Sequence, residues 1–261
     1  MEKEASQTQT KPVTLLGVEY THIHTEEGGD LYLTRYGLPF MEQLKPENWK
    51  ADSWFKENRE SLPGTSNVYK LPTKSVQGRS LDLVVKYCRV GEDVPLDTMG
   101  FDKFWFAEFN TPYEEFSLVM EMRQASAPHN RILTHKPLAI YVPPERLQLW
   151  QTGRSKHRIA RKTSKFRDIE LDIYRQYIMI YEWIKGVSAP EAVKLLERDA
   201  ALEREVTDLG DALRDLTIET RKRMMESGFM VIDHKPAHII LRPLKGGKLL
   251  RRSSGEYAFA L

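Results

Sequence analysis

The sequence predicts an α+β fold in which an antiparallel sheet is followed by a helical segment. Three observations carry that prediction. Apolar and polar residues alternate over short runs, such as 13–36 and 80–87, that are bounded by Gly- and Pro-bearing turns, the mark of half-buried strands. Leu202, Val206, Leu209, Leu213 and Leu216 step by four and three, and Gly228 follows as a left-handed stop, the pattern of one long amphipathic helix. Residues 231–241 then read Val-Ile-Asp-His-Lys-Pro-Ala-His-Ile-Ile-Leu, a polar loop entering a strand, because Pro236 biases Lys235 away from helix and Ile239 and Ile240 are β-branched.

Composition narrows the class. A chain of 261 residues can bury one large core or two modest ones. Hydrophobic content of 41% with 29% charged residues is that of a water-soluble globular protein, and a net charge of +2 gives no general attraction to nucleic acid or an anionic membrane. Cys88 is the one cysteine, which excludes an intramolecular disulfide and fits a reducing compartment, so a cytoplasmic location is expected. No apolar run approaches the roughly 20 residues that span a bilayer. Residues 1–12 are polar and are expected to be disordered rather than a signal peptide.

In chain order, residues 13–36 read as a hairpin around Glu-Glu-Gly-Gly-Asp at 26–30. His22 and His24 share one strand face there, half of a metal site with no third ligand evident from the sequence, so exposed strand residues are the default. A segment around Trp49 and Trp54 is expected to be helical and to pack by its aromatics. Residues 62–70, Leu-Pro-Gly-Thr-Ser-Asn-Val-Tyr-Lys, contain a turn, and residues 80–87 form an apolar strand closed by Lys86. A lysine ending an apolar run costs desolvation unless paired, so Lys86 is expected to meet an anion. A helix begins at Asn110 or Thr111 with Pro112 in its first turn, and Glu115 stands above Leu118, Val119 and Met122 on one face. Residues 132–142 suggest a strand pair. Seven cations crowd 153–167, either a solvated face or a docking site for an acidic partner or nucleic acid, although Phe166 is the one aromatic there and does not suit single-strand stacking. Residues 176–186 are an apolar strand ending Tyr-Glu-Trp-Ile-Lys-Gly, and Ser188 to Glu191 opens a helix as a capping box. A basic Gly-Gly turn joins two strands over 244–261.

Taken in this order, the elements resemble the protein-kinase superfamily, and the loop at 231–241 resembles its Ser/Thr-type catalytic loop. The resemblance covers residues 62–261 and implies a kinase-like bilobal fold, with an antiparallel-sheet N-lobe carrying helix C and a partial helical C-lobe. Residues 13–61 are then an accessory region, 62–186 the N-lobe and hinge with a basic insertion at 153–167, and 187–261 the partial C-lobe. It implies that Gly64, Ser66 and Val68 belong to the glycine turn over ATP, with the valine packing on adenine. Lys86 would bind the α- and β-phosphates and pair with Glu115 of helix C. Tyr181 would be the gatekeeper, with the backbone carbonyl of Glu182 and N–H of Ile184 bonding the adenine edge. Asp233 would orient the acceptor hydroxyl, and Lys235 would contact the transferring phosphate.

The chain departs from the family at several places. Val231 and Ile232 replace His-Arg, one glycine stands for three in the turn, and the second metal-binding Asp would follow Leu261. His238 stands where an Asn holds Mg²⁺, offering a nitrogen where that ion prefers oxygen. Three functions follow as expectations: the N-terminal part of an ATP-dependent phosphotransferase acting on a protein hydroxyl, inactive as this fragment; a pseudokinase binding a regulatory partner; or a non-kinase binding protein that uses the basic loop.

Overall fold

The computed structural model describes residues 10–63, 66–94, 108–125, 132–166, 168–197, 203–231, 234–244 and 248–261. Contacts divide the chain into two compact units, residues 1–120 with 136–183, and residues 121–135 with 184–261.

The first unit is built on one eight-stranded antiparallel sheet. Its strands are β1 (Thr10–Leu15), β2 (Val18–His24), β3 (Asp30–Leu33), β4 (Glu60–Leu62), β5 (Val68–Pro72), β6 (Asp82–Tyr87), β7 (Pro137–Val142) and β8 (Ile178–Glu182), in the spatial order β1-β2-β3-β7-β8-β6-β5-β4. Two three-stranded meanders thus flank a central β7–β8 pair. The hairpin expected over 13–36 is two hairpins. The first closes on Leu16 and Gly17 with φ of 48° and 76°, and two consecutive positive φ values suit the twist of a two-residue connection. A leucine in that conformation is rare, so its composition did not announce the turn. The second closes over 25–29, where Gly28 takes φ of 82° and its N–H donates to Thr25 O at 2.9 Å.

The period of two along each strand sorts side chains between two apolar layers. Leu83, Val85, Tyr141, Ile178 and Ile180 go to one layer, where they meet Leu44 and Trp49 from the segment holding α1 (Met41–Leu44) and α2 (Asp52–Asn58). The Trp49 indole N–H donates to Leu44 O at 2.9 Å, so a fully buried tryptophan keeps its polar atom bonded. Val84, Ile140, Met179 and Tyr181 go to the other layer, against Tyr113, Phe116 and Met120 of α3 (Pro112–Ala125). Both sheet faces are therefore covered, which is why β7 and β8 read as continuous apolar runs. Of the strand pair expected over 132–142, only β7 forms. A short helix α4 (Leu149–Thr152) leads into the basic stretch, which itself holds α5 (Lys156–Thr163).

The second unit packs α6 (Ala189–Glu197) and α7 (Glu203–Glu226) with a small sheet of β9 (Val187–Ser188), β10 (Ile240–Leu241) and β11 (Phe259–Ala260), ordered β11-β10-β9. The Glu191 half of the expected capping box forms, with Ser188 N–H and Oγ both donating to Glu191 Oε2 at 2.9 Å; these bonds hold the Glu191 carboxyl below its usual range. Leu213 and Leu216 of the leucine stripe pack with Ala192, Ile239, Leu241 and Phe259. Leu202 lies outside the described residues, as do the side chains of Val206 and Leu209. Helix α7 stops at Gly228, φ 84°, with Phe229 N–H donating to Met224 O at 2.8 Å and Gly228 N–H to Met225 O at 3.0 Å, the paired closing bonds of a left-handed cap. Among the described residues no helix is long and apolar enough to cross a membrane.

Candidate functional site

The polar residue that the sheet pattern singles out is Lys86. Alternation along β6 sends Leu83 and Val85 to one layer and Val84 to the other, so Lys86 faces the layer of α3. The start of that helix is fixed by a reciprocal cap: Glu114 N–H donates to Thr111 Oγ1, and Thr111 N–H donates to Glu114 Oε2, both at 3.0 Å. The cap occupies Glu114, whose carboxylate also meets Lys162 at 3.0 Å, and leaves the next residue to address the sheet. Glu115 receives Lys86 Nζ at 2.8 Å on each carboxylate oxygen. Tyr181, on β8 directly opposite Val84, donates its hydroxyl to Glu115 Oε1 at 2.7 Å. Burial, reinforced by the Glu115 charge, pushes the Tyr181 hydroxyl well above its ordinary pKa, so it stays a proton donor.

Two of the three Lys86 N–H groups are engaged by Glu115, and about a third of the side chain (32%) remains open to solvent. Val68 is the cross-strand partner of Lys86 and packs on the same apolar layer. The structure thus brings together four of the residues singled out from the sequence: Val68, Lys86, Glu115 and Tyr181. Cys88 lies two residues beyond Lys86, fully buried, and burial pushes its thiol up to about 12, so it is a packing residue and no nucleophile. Ser66 is half-buried in the β4–β5 connection, and Gly64 lies outside the described residues.

At the end of β8, Glu182 N–H donates to Lys136 O at 3.0 Å while its carboxylate meets Lys136 Nζ at 2.6 Å. Trp183 N–H donates to Asp82 O at 2.9 Å. The division between the two units falls between Trp183 and Ile184, inside the stretch read as a hinge.

The loop over 231–241 belongs to the second unit, and Asp233 lies outside the described residues. Lys235 and His238 are exposed and flank a single 3₁₀ turn, closed by His238 N–H to Lys235 O at 2.9 Å and Ile239 N–H to Pro236 O at 3.0 Å. Two anchors hold this turn. Ile239 is fully buried, and its carbonyl accepts Ala189 N–H at 2.8 Å. His234 is half-buried, its Nε2 lying 3.1 Å from Thr217 O and 3.0 Å from Thr220 Oγ1 of α7. Burial lowers the His234 pKa, which keeps the ring neutral with Nε2–H donating to the Thr217 carbonyl. Sequence reasoning passed over His234; the available signal was the Thr217–Thr220 pair on one face of α7.

Five of the seven cations of the basic stretch find acids or carbonyls inside the first unit, and Lys156 lies over the Tyr174 ring at 5.8 Å. Arg154 is buried and donates to Arg175 O at 2.8 Å and Cys88 O at 3.1 Å, and burial lowers its pKa. Lys162 meets Glu114, Arg158 meets Asp93, and Arg161 and Lys165 share Glu108. Burial works to raise the Glu108 pKa, but the bonds from Arg161 and Lys165 outweigh it and hold that carboxyl below its usual range. Arg167 lies outside the described residues.

No known protein family, curated protein or solved structure gives a match to this chain.

Proposed function

We propose that this chain is a protein-kinase-like ATP-binding domain belonging to a Ser/Thr-type phosphotransferase. The observation that carries the reading is the Lys86–Glu115 pair, a strand lysine held through both carboxylate oxygens at 2.8 Å by a helix glutamate. In the kinase superfamily such a pair presents the lysine to the α- and β-phosphates of ATP. Chain order supports it: the β4–β5 hairpin, the lysine on the next strand, the glutamate on the following helix, two more strands, then the helices and the Asp-x-Lys-Pro loop.

In this reading Val68 packs on the adenine, and the Glu182 carbonyl and Ile184 N–H bond its edge. Lys86 contacts the phosphates while Glu115, steadied by Tyr181, holds the ammonium in place. Asp233 orients the hydroxyl of a protein acceptor, and Lys235 meets the phosphate in transfer. The described residues suit Mg²⁺ poorly, because exposed His238 offers nitrogen where that ion takes oxygen. That same substitution favours a second reading, a pseudokinase that binds nucleotide and serves a regulatory partner without transferring phosphate.

Thermal unfolding with ATP, with and without Mg²⁺, tests the reading. Nucleotide at 100 times its Kd stabilises by about 2.7 kcal/mol, a readily measured rise in Tm. The wild type is expected to show that rise and Lys86→Ala to lose it. Equal rises in both, or none in the wild type, would overturn nucleotide binding through Lys86. In a longer chain, phosphate transfer abolished by Asp233→Ala separates the enzyme from the regulatory module.

A further inference from the structure

We propose that His22, His24 and Asp30 form a binding site for one divalent transition-metal ion of the zinc class, at the end of the β2–β3 hairpin. The sequence supplied two histidines; the fold supplies the third ligand. In the hairpin register His24 stands directly opposite Asp30, and His22 is two residues along β2 on the same face. Asp30 Oδ1 lies 3.0 Å from His22 Nε2 and 2.9 Å from His24 Nδ1. All three ligand atoms fall within 4.8 Å of one another. A tetrahedral ion with bonds of about 2.0–2.1 Å sets its ligand atoms about 3.3 Å apart. Lengthening the two Asp30 contacts by a few tenths of an ångström and drawing the imidazole nitrogens together from within 4.8 Å turn this hydrogen-bonded cluster into a coordination set.

The surroundings fix the ligands in place. The His22 ring stacks on Tyr32 with centroids 4.5 Å apart and planes 12° from parallel. Arg175 Nη2 takes the other carboxylate oxygen, Asp30 Oδ2, at 3.3 Å, while the same guanidinium donates to Pro143 O and Val142 O. Such an outer contact leaves Oδ1 to face the imidazoles, as a single-oxygen ligand requires. The Arg175 charge also sets the choice of ion. Mg²⁺ and Ca²⁺ are held by oxygen ligands and carboxylate charge, and one carboxylate already paired with a guanidinium offers them little. Zn²⁺ binds well to imidazole nitrogen. The His24 side chain is 72% exposed, so water can fill the fourth position.

The test uses the full chain, untagged and stripped with a chelator, titrated calorimetrically with Zn²⁺ and separately with Mg²⁺. One equivalent of Zn²⁺ is expected to bind to wild type, with no Mg²⁺ heat. His24→Ala and Asp30→Asn are each expected to weaken Zn²⁺ binding tenfold or more, at least the roughly 10–100-fold that loss of an outer-shell contact costs. Co²⁺ in place of Zn²⁺ is expected to give the intense visible bands of a four-coordinate ion, and His24→Ala to lose them. Because His24 is exposed, its variant is expected to unfold in chelator at the wild-type temperature, so it decides the question even if Asp30→Asn folds poorly. Absence of Zn²⁺ binding in wild type, or unchanged affinity in His24→Ala, would overturn the site.

Discussion

Lys86 and Lys235, the two lysines of the proposed chemistry, are held in contrasting ways. Lys86 stands on a six-residue strand with a neighbour on each side, and its ammonium is clasped by a carboxylate that a buried tyrosine steadies. Lys235 is exposed at the head of a three-residue turn, whose backbone is anchored by His234 before it and Ile239 after it. A sheet fixes a side chain's direction through pleat and register, so the first site is organised before any ligand arrives. The loop is held through its backbone and its flanking residues, while Lys235 and His238 themselves stand exposed to solvent.

The sharpest way to break this contrast is Glu115→Ala. It leaves a lysine and a buried tyrosine hydroxyl without their acceptor, and is expected to cost about 1–3 kcal/mol in denaturant unfolding. Glu115→Gln restores an oxygen for Tyr181 without the charge, and is expected to recover part of that stability. If Glu115→Ala unfolds like wild type, the clasp contributes nothing to the fold.

A smaller loss is expected from removing the loop's anchor, His234→Ala, roughly 1 kcal/mol near neutral pH for one hydrogen-bonded group. Here the sign with pH is fixed by burial. The folded-state pKa of His234 lies below the ordinary histidine value of about 6.5, so the unfolded chain takes up the proton first. The stabilisation is present above about 6.5 and is lost as pH falls from there through the lowered folded value. The gap between wild type and variant should therefore narrow on acidification; a gap that widens would show that the ring is bound as the cation.

Lys235→Ala is expected to have the least effect on stability, within about 0.5 kcal/mol, because the side chain is exposed. In a longer chain that transfers phosphate, the same change is expected to slow transfer while leaving nucleotide affinity as it was. A large loss of stability would show that Lys235 serves the fold.

What could be read in advance from the residues was whatever is set locally. The alternation of β6, the cap at Thr111 and the Ser188–Glu191 contact at the start of α6 all appear where their residue types placed them. The sequence singles out Glu115 by an apolar face of Leu118, Val119 and Met122, but the face that packs on the sheet carries Tyr113, Phe116 and Met120 while Leu118 is exposed; what separates the two acids is the cap, which engages Glu114. Pairings that depend on register or on distant acids were not legible either. Asp30 becomes a neighbour of His24 only when β2 and β3 align, and the partners of Arg161 and Lys162 lie about fifty residues earlier, at Glu108 and Glu114. The Leu16–Gly17 turn was hidden for a different reason, since leucine carries no signal for positive φ.

The placement of β7 and β8 at the middle of the sheet has a kinetic consequence. Each flanking meander joins strands that are neighbours in the sequence, and hairpins of that kind form in about 1–10 μs. The contact that docks β7 beside β3 is of another order: Thr34 Oγ1 donates to Pro137 O, 103 residues away along the chain. Loop closure must come before such a contact gives anything back, so joining the two meanders across β7 and β8 is expected to be the slow step in assembling this unit. Before that step β3 and β6 would each present an unpaired edge, so a refolding chain is expected to be most open to pairing with another copy of itself at strands the finished sheet covers on both sides.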